Sequence, residues 1–162
     1  MTDAIGALAT MSHLDAPARD AALEHFYTRW QDEPLVLDKW FAVQARASRA
    51  DSVETVRRLL SHPKFSLKNP NRVRALIGSF AHANPTGFNR ADGAGFALLA
   101  EQALEIDAFN PHVAARLLGA FESWRILEPM RQARARAVLE GLAAQKLSTD
   151  SYEIVTKTLG HA

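Results

Sequence analysis

The feature that most narrows what this chain can fold into is a dipeptide: Asn69-Pro70 and Asn110-Pro111 each set two helix-starting residues in the order a helix needs. At N-cap an asparagine oxygen accepts from an orphaned first-turn amide, and a proline at N1 has no amide to leave unpaired and a preset φ. Each step therefore predicts an abrupt helix start. Asp51 followed by Glu54 comes close to a capping box, Pro34 and Pro129 fit first-turn positions, and Gly160 fits a C-terminal stop. Between these marks apolar residues recur at spacings of three and four: Leu23, Phe26, Tyr27, Trp30; Leu37, Trp40, Phe41; Val73, Leu76, Ile77, Phe80; Val113, Leu117, Phe121, Trp124. No segment alternates convincingly with period two. The pattern predicts about eight or nine helices, near 3–11, 17–31, 34–48, 52–61, 70–83, 93–107, 111–124, 129–145 and 149–159, and no strand.

Taken in pairs, the later helices repeat roughly every 35 to 40 residues with short connections, the period of HEAT and armadillo repeats. A helix pair of this kind is too thin to bury its own apolar face and must stack on its neighbours. The expected fold is all-α: stacked antiparallel helical hairpins forming an α-α superhelix, with an irregular helical bundle as the competing arrangement. A chain of 162 residues is one domain's worth and buries about 70% of its unfolded surface. At 48% hydrophobic and 23% charged it lies far from the composition of disordered chains, and no linker interrupts it, so residues 1–162 are expected to form one all-helical domain.

Composition also removes several functions. A formal charge of +1 supplies no global field to draw the protein onto phosphate or an anionic membrane. With no cysteine, disulfides, thiolate nucleophiles and cysteine-ligated metals are excluded, and a reducing compartment is expected. The first thirty residues carry Asp3, Asp15, Arg19, Asp20 and Glu24 and no long apolar run, so neither a signal peptide nor a spanning helix is expected. The expected location is the cytoplasm, with no membrane and no nucleic acid as partner.

A catalytic centre is equally hard to build. The histidines are His13, His25, His62, His82, His112 and His161, and no two lie four apart, so H-E-x-x-H cannot be formed. Neither G-x-S-x-G nor a Walker loop is present, and Asp92-Gly93-Ala94-Gly95 reads as a helix start. No catalytic residue, metal ligand set or cofactor is assigned to this chain. Arg131, Arg134 and Arg136, with Arg125 nearby, read as a solvated helix face, the alternative being a phosphate-binding strip suited to RNA. Trp30, Trp40 and Trp124 fall on apolar stripes and read as core. Arg74 and Arg116 stand apart. On a wheel of 100° per residue, Arg74 falls 20° from Ala81 on the shoulder of the Val73, Ile77 and Phe80 stripe, and Arg116 lies likewise beside Ala120. An arginine partly buried beside small residues needs a carboxylate, either internal, such as Asp38 or Glu122, or brought by a ligand.

Particular strings then become informative: Leu-Val-Leu-Asp-Lys-Trp-Phe (35–41), Glu-Thr-Val-Arg (54–57), Asn-Pro-Asn-Arg-Val-Arg-Ala-Leu-Ile-Gly-Ser-Phe (69–80), Asn-Pro-Thr-Gly-Phe (84–88), Asp-Gly-Ala-Gly (92–95), Asn-Pro-His-Val-Ala-Ala-Arg-Leu (110–117) and Tyr-Glu-Ile-Val-Thr-Lys (152–157). In order and spacing the chain resembles the C-terminal domain of bacterial aminopeptidase N, loosely over the first thirty residues and closely thereafter. The resemblance implies a helical superhelix that closes over the active site of a zinc aminopeptidase, whose metal lies in a separate thermolysin-like domain. It further implies that Met1 is an interior residue of a longer protein, that the catalytic domain of the same polypeptide is the partner, and that the isolated chain is inactive. It implies as well that peptide substrates lose their N-terminal residues in the shared cavity, and that Arg74 and Arg116 face that cavity, suited to holding a peptide's C-terminal carboxylate. A free-standing helical-repeat module that binds a protein or peptide is the alternative.

Overall fold

The structure, a computed structural model, describes residues 2–160; Met1 and His161 lie outside the described residues. Its contacts group into two compact units, one ending at Gly87 and the other beginning at Phe88. All regular structure among the described residues is helical.

In the first unit α1 (Thr2–Met11), α2 (Pro17–Trp30), α3 (Pro34–Arg46) and α4 (Ser52–Leu60) are followed by α5 (Pro70–Val73), a π-helical turn (Arg74–Gly78) and α6 (Ser79–Ala83). The central element is α3, which packs against α1, α2, α4 and α6. Its face of Leu37, Trp40, Phe41 and Ala45 is buried with Leu23, Phe26, Val56, Leu59, Leu76, Ile77 and Phe80. The one polar atom of Trp40 is satisfied there, since Nε1 donates to the Leu23 carbonyl at 2.9 Å. Around Trp40 and Phe41 stand Tyr27, Phe65 and His62, the imidazole lying 5.1–5.5 Å from three ring centres.

The asparagine caps form as the sequence predicts. Asn69 accepts from the amides of Asn71 (3.1 Å) and Arg72 (3.2 Å), and Asn110 accepts from that of Val113 (3.3 Å). A third step of the same kind, Asn84-Pro85, starts the four-residue α7 (Pro85–Phe88), with the Asn84 oxygen accepting from Gly87. Asp51 does not cap α4. The Arg49 guanidinium takes its carboxylate through two bonds of 2.8 and 3.2 Å, and a charged fork outcompetes a backbone amide for the same oxygens.

The second unit contains α8 (Ala94–Asp107), α9 (Pro111–Leu118), a 3₁₀ helix (Gly119–Ile126), α10 (Pro129–Ala143) and α11 (Thr149–Leu159). Asp92-Gly93 starts α8 as expected: Gly93 has φ 79°, and Asp92 Oδ1 accepts from the Ala94 amide at 3.0 Å. The predicted helix 111–124 changes character at Gly119. Leu118, Phe121 and Trp124 are buried at a spacing of three, which a 3₁₀ helix lines up on one edge and an α-helix does not. Trp124 Nε1 donates to the Thr158 carbonyl at 3.0 Å, tying this segment to α11.

The two segments that follow the asparagine caps are copies of one pattern. Asn-Pro at 69–70 and 110–111, Leu76 and Leu117, Gly78 and Gly119, and Phe80 and Phe121 correspond at a constant offset of 41 residues. Both phenylalanines are fully buried. The turn at the shared glycine is the variable part, a π turn in the first unit and 3₁₀ in the second.

Candidate functional site

Arg74 opens the π turn. It is exposed, its Nη2 donates to Asn71 Oδ1 at 3.0 Å, and it forms no salt bridge among the described residues. The carboxylate of Asp38 is engaged instead by Arg72, whose Nη1 lies 2.8 Å from Asp38 Oδ1 and whose guanidinium stacks 5.2 Å from the Phe41 ring centre. The approach is off the N–H axis, leaving Arg72 Nε and Nη1 without a formed hydrogen bond, so the contact is ionic. The wheel misplaced Arg74 for a physical reason. The Ser79 amide bonds to the Arg74 carbonyl, five residues back, and this wider turn breaks the 100° phase that put Arg74 beside Ala81. Ala81 is buried and Arg74 is not.

Arg116 stands on α9 in the second unit, exposed, with no ion pair or hydrogen bond to any described residue; Glu122 does not reach it. Each unit, taken by itself, has one exposed guanidinium with donors to spare. Such a group can meet a carboxylate through two parallel hydrogen bonds.

Other basic side chains flagged by the sequence are already engaged. Arg131 Nε donates to the Asn89 carbonyl (2.7 Å) and Arg134 Nη1 to that of Asp92 (3.0 Å), so two members of the arginine strip hold the loop before α8. Arg125 lies 4.9 Å over the Trp124 ring and donates to the Leu159 carbonyl at 3.0 Å, while Arg136 pairs with Glu140 at 2.8 Å. Trp40 and Trp124 are core residues, and Trp30 is half-buried beneath Arg29.

The donor groups do not fit a zinc site. His13 Nδ1 accepts from the Ser48 amide and His62 Nδ1 from that of Lys64, and among the described residues no three of His, Asp or Glu converge on a common point. Burial of the His62 ring, followed by the nearby charge of Arg72, pushes its pKa down. No helix among the described residues is long and apolar enough to cross a membrane.

Helices that follow capped starts, with a repeated cap-to-phenylalanine segment, define a helical-repeat domain of the armadillo class. The family model described as a domain of unknown function (DUF3458_C), ARM repeats, matches residues 1–160, and the chain belongs to that family. It is 47% identical over 161 residues to aminopeptidase N of Caulobacter vibrioides, 42% over 160 to that of Escherichia coli and 36% over 160 to that of Haemophilus influenzae. These matches take in 98–99% of this chain but only 18–19% of each relative. The crystal structure of Legionella pneumophila aminopeptidase A in complex with aspartic acid superimposes on the whole chain with a TM-score of 0.93 at 34% identity, and the chain covers 19% of it.

Proposed function

We propose that the chain serves as the non-catalytic C-terminal domain of a zinc aminopeptidase, a cytoplasmic enzyme that removes N-terminal residues from peptides. Its part is to wall the active-site cavity and hold the far end of the substrate. The observation that carries this reading is the end-to-end match to proteins named aminopeptidase N, of which the chain makes up about a fifth. The catalytic domain of the same polypeptide would be its partner. Zinc and the water it activates would belong to that domain; among the described residues no three of His, Asp or Glu gather into a ligand set.

Within this reading Arg74 and Arg116 bind the peptide's C-terminal carboxylate. Both are exposed and neither is neutralised by a carboxylate among the described residues, so both charges remain for a ligand. A charge-assisted bond of this kind is worth about 1.5–3 kcal/mol, or tenfold and upward in binding. In the full-length enzyme, Arg74→Ala and Arg116→Ala should therefore raise KM for short peptides by about tenfold. KM for amino-acid anilides, which lack the carboxylate, should stay unchanged. Equal effects on both substrates, or none on either, would refute the carboxylate role.

A further inference from the structure

Arg74 and Arg116 differ in what stands three residues before each: Asn71 in one case, and in the other Val113, whose side chain has no acceptor. Residues three apart are neighbours on a helix surface, so position 71 can reach the guanidinium at 74. It does so, Asn71 Oδ1 accepting from Arg74 Nη2 at 3.0 Å. The acceptor stands on a fixed base. The Asn71 amide donates to the Asn69 cap at 3.1 Å, Pro70 fixes φ just before it, and the Arg74 amide bonds back to the carbonyls of Pro70 and Asn71. The Asn71 side chain makes this one hydrogen bond among the described residues, at an exposed position, so its truncation leaves the fold intact.

A guanidinium has two edges that can each give a carboxylate two parallel bonds, one through Nη1 and Nη2 and one through Nε and Nη2. Asn71 takes one Nη2 hydrogen. Whichever hydrogen that is, the opposite edge keeps both of its donors.

We propose that Asn71 is a positioning residue: it holds the Arg74 guanidinium in place with a complete edge open to the C-terminal carboxylate of a peptide. The inference rests on the peptide reading above. A side chain already held has less rotamer freedom to lose when a ligand arrives, and immobilising one such chain costs the equivalent of about two- to tenfold in binding. An exposed bond recovers the lower part of that range.

The test uses the full-length enzyme, a tripeptide with a free C-terminus, and the same tripeptide as its C-terminal amide. Asn71→Ala should raise KM for the free peptide by about two- to fivefold with kcat kept, and should not raise KM for the amide. In an Arg74→Ala background the same substitution should add nothing, because the two residues act through one contact. Asn71→Asp separates positioning from a general role in the helix. A carboxylate in the first turn favours a helix, so a structural role makes aspartate milder than alanine; beside Arg74 it neutralises the charge and competes with the peptide, so positioning makes it harsher. The proposal is overturned by an Asn71→Ala enzyme with wild-type KM for the free peptide, by an effect that persists without Arg74, or by aspartate milder than alanine. If Arg74→Ala itself affects free peptide and amide alike, or neither, the carboxylate reading is refuted and the positioning role falls with it.

Discussion

Replacing Asn84 by alanine should destabilise the first unit more than its one-residue size suggests. Asn84 is 1% exposed and uses its whole amide: Nδ2 donates to the carbonyls of Ala45 and Ala47, both at 2.9 Å, and Oδ1 accepts from the Gly87 amide at 2.9 Å. One side chain therefore closes the C-terminal end of α3 and starts α7. Truncation does not orphan all three partners, because the Ala47 carbonyl also accepts from Ser52 Oγ at 2.8 Å and from the Arg49 amide at 3.0 Å. The Ala45 carbonyl and the Gly87 amide lose the bond that Asn84 gave them, at about 1–3 kcal/mol per buried group, so the expected loss is about 2–6 kcal/mol. Asn84→Asp should be worse still: an oxygen replaces the amide nitrogen, so two donated bonds vanish and a charge is set against two carbonyls. Thr86→Ala is the control, since Thr86 Oγ1 only accepts from Ser48 Oγ at the surface, and should cost less than about 0.5 kcal/mol. Urea unfolding followed by amide hydrogen exchange at residues 36–46 would read the change. An Asn84→Ala protein within about 0.5 kcal/mol of wild type, or an aspartate variant as stable as the asparagine, would refute the reasoning.

Two further perturbations test the same interior. His62 has a folded pKa below the ordinary 6.5, set first by burial and then by Arg72, with Arg58 and Lys64 adding to the effect and Glu24 opposing it. The folded state therefore prefers neutral imidazole. Its contribution is complete above the ordinary histidine pKa and is lost as pH falls through that value toward the folded one. His62→Phe, which keeps a ring among Tyr27, Trp40 and Phe41, should flatten the stability profile between pH 7 and 5; an unchanged slope would remove His62 as its source. In the second unit, burial raises the Asp107 carboxyl, but bonds from Ser148 Oγ (2.5 Å), Ser151 Oγ (2.6 Å) and the Ser148 amide (2.7 Å) outweigh it, and the pKa is lowered. Its stabilisation is present above the ordinary value of 3.8 and lost as pH falls through the folded value. Asp107→Ala should cost about 2–4 kcal/mol by urea unfolding and expose the start of α11 to amide exchange, and faster exchange elsewhere but not there would count against it.

Helix starts were legible because capping is local chemistry. Asn69-Pro70 and Asn110-Pro111 carry the whole signal within two residues, and the structure forms both caps. Asn84-Pro85 carries the same signal, but only four helical residues follow it, too few to show an apolar period. Asp51 shows what local chemistry leaves open. Its capping role was lost to Arg49, two residues away, and which partner wins depends on how the loop folds. The 3₁₀ segment was visible in principle, since Leu118, Phe121 and Trp124 are spaced by three, but a wheel drawn at 100° per residue absorbs that spacing into an α-helix. The π turn was not visible. Its defining bond, from the Ser79 amide to the Arg74 carbonyl, reflects how Leu76, Ile77 and Phe80 seat in the core, and no residue there has a preference that announces it.

That turn also decides which arginine is available. In Arg-Val-Arg the first arginine goes into the core against Asp38 and Phe41 and the second goes to the surface. Spacing alone set Arg74 on the shoulder of the apolar stripe, because that stripe was extrapolated backwards through a turn that does not keep its phase. The repeated segment bears on this directly. Arg74 corresponds to Ala115 and Arg116 to Ala75, so the two exposed arginines lie one position out of register on the shared pattern, while Arg72 corresponds to Val113. What the two copies share is cap and core: asparagine, proline, leucine, glycine and phenylalanine. What they do not share is the arginines and the width of the turn beside them. The common residues account for the fold without reference to a ligand, and a function specific to this domain has to be sought at the positions where its copies differ.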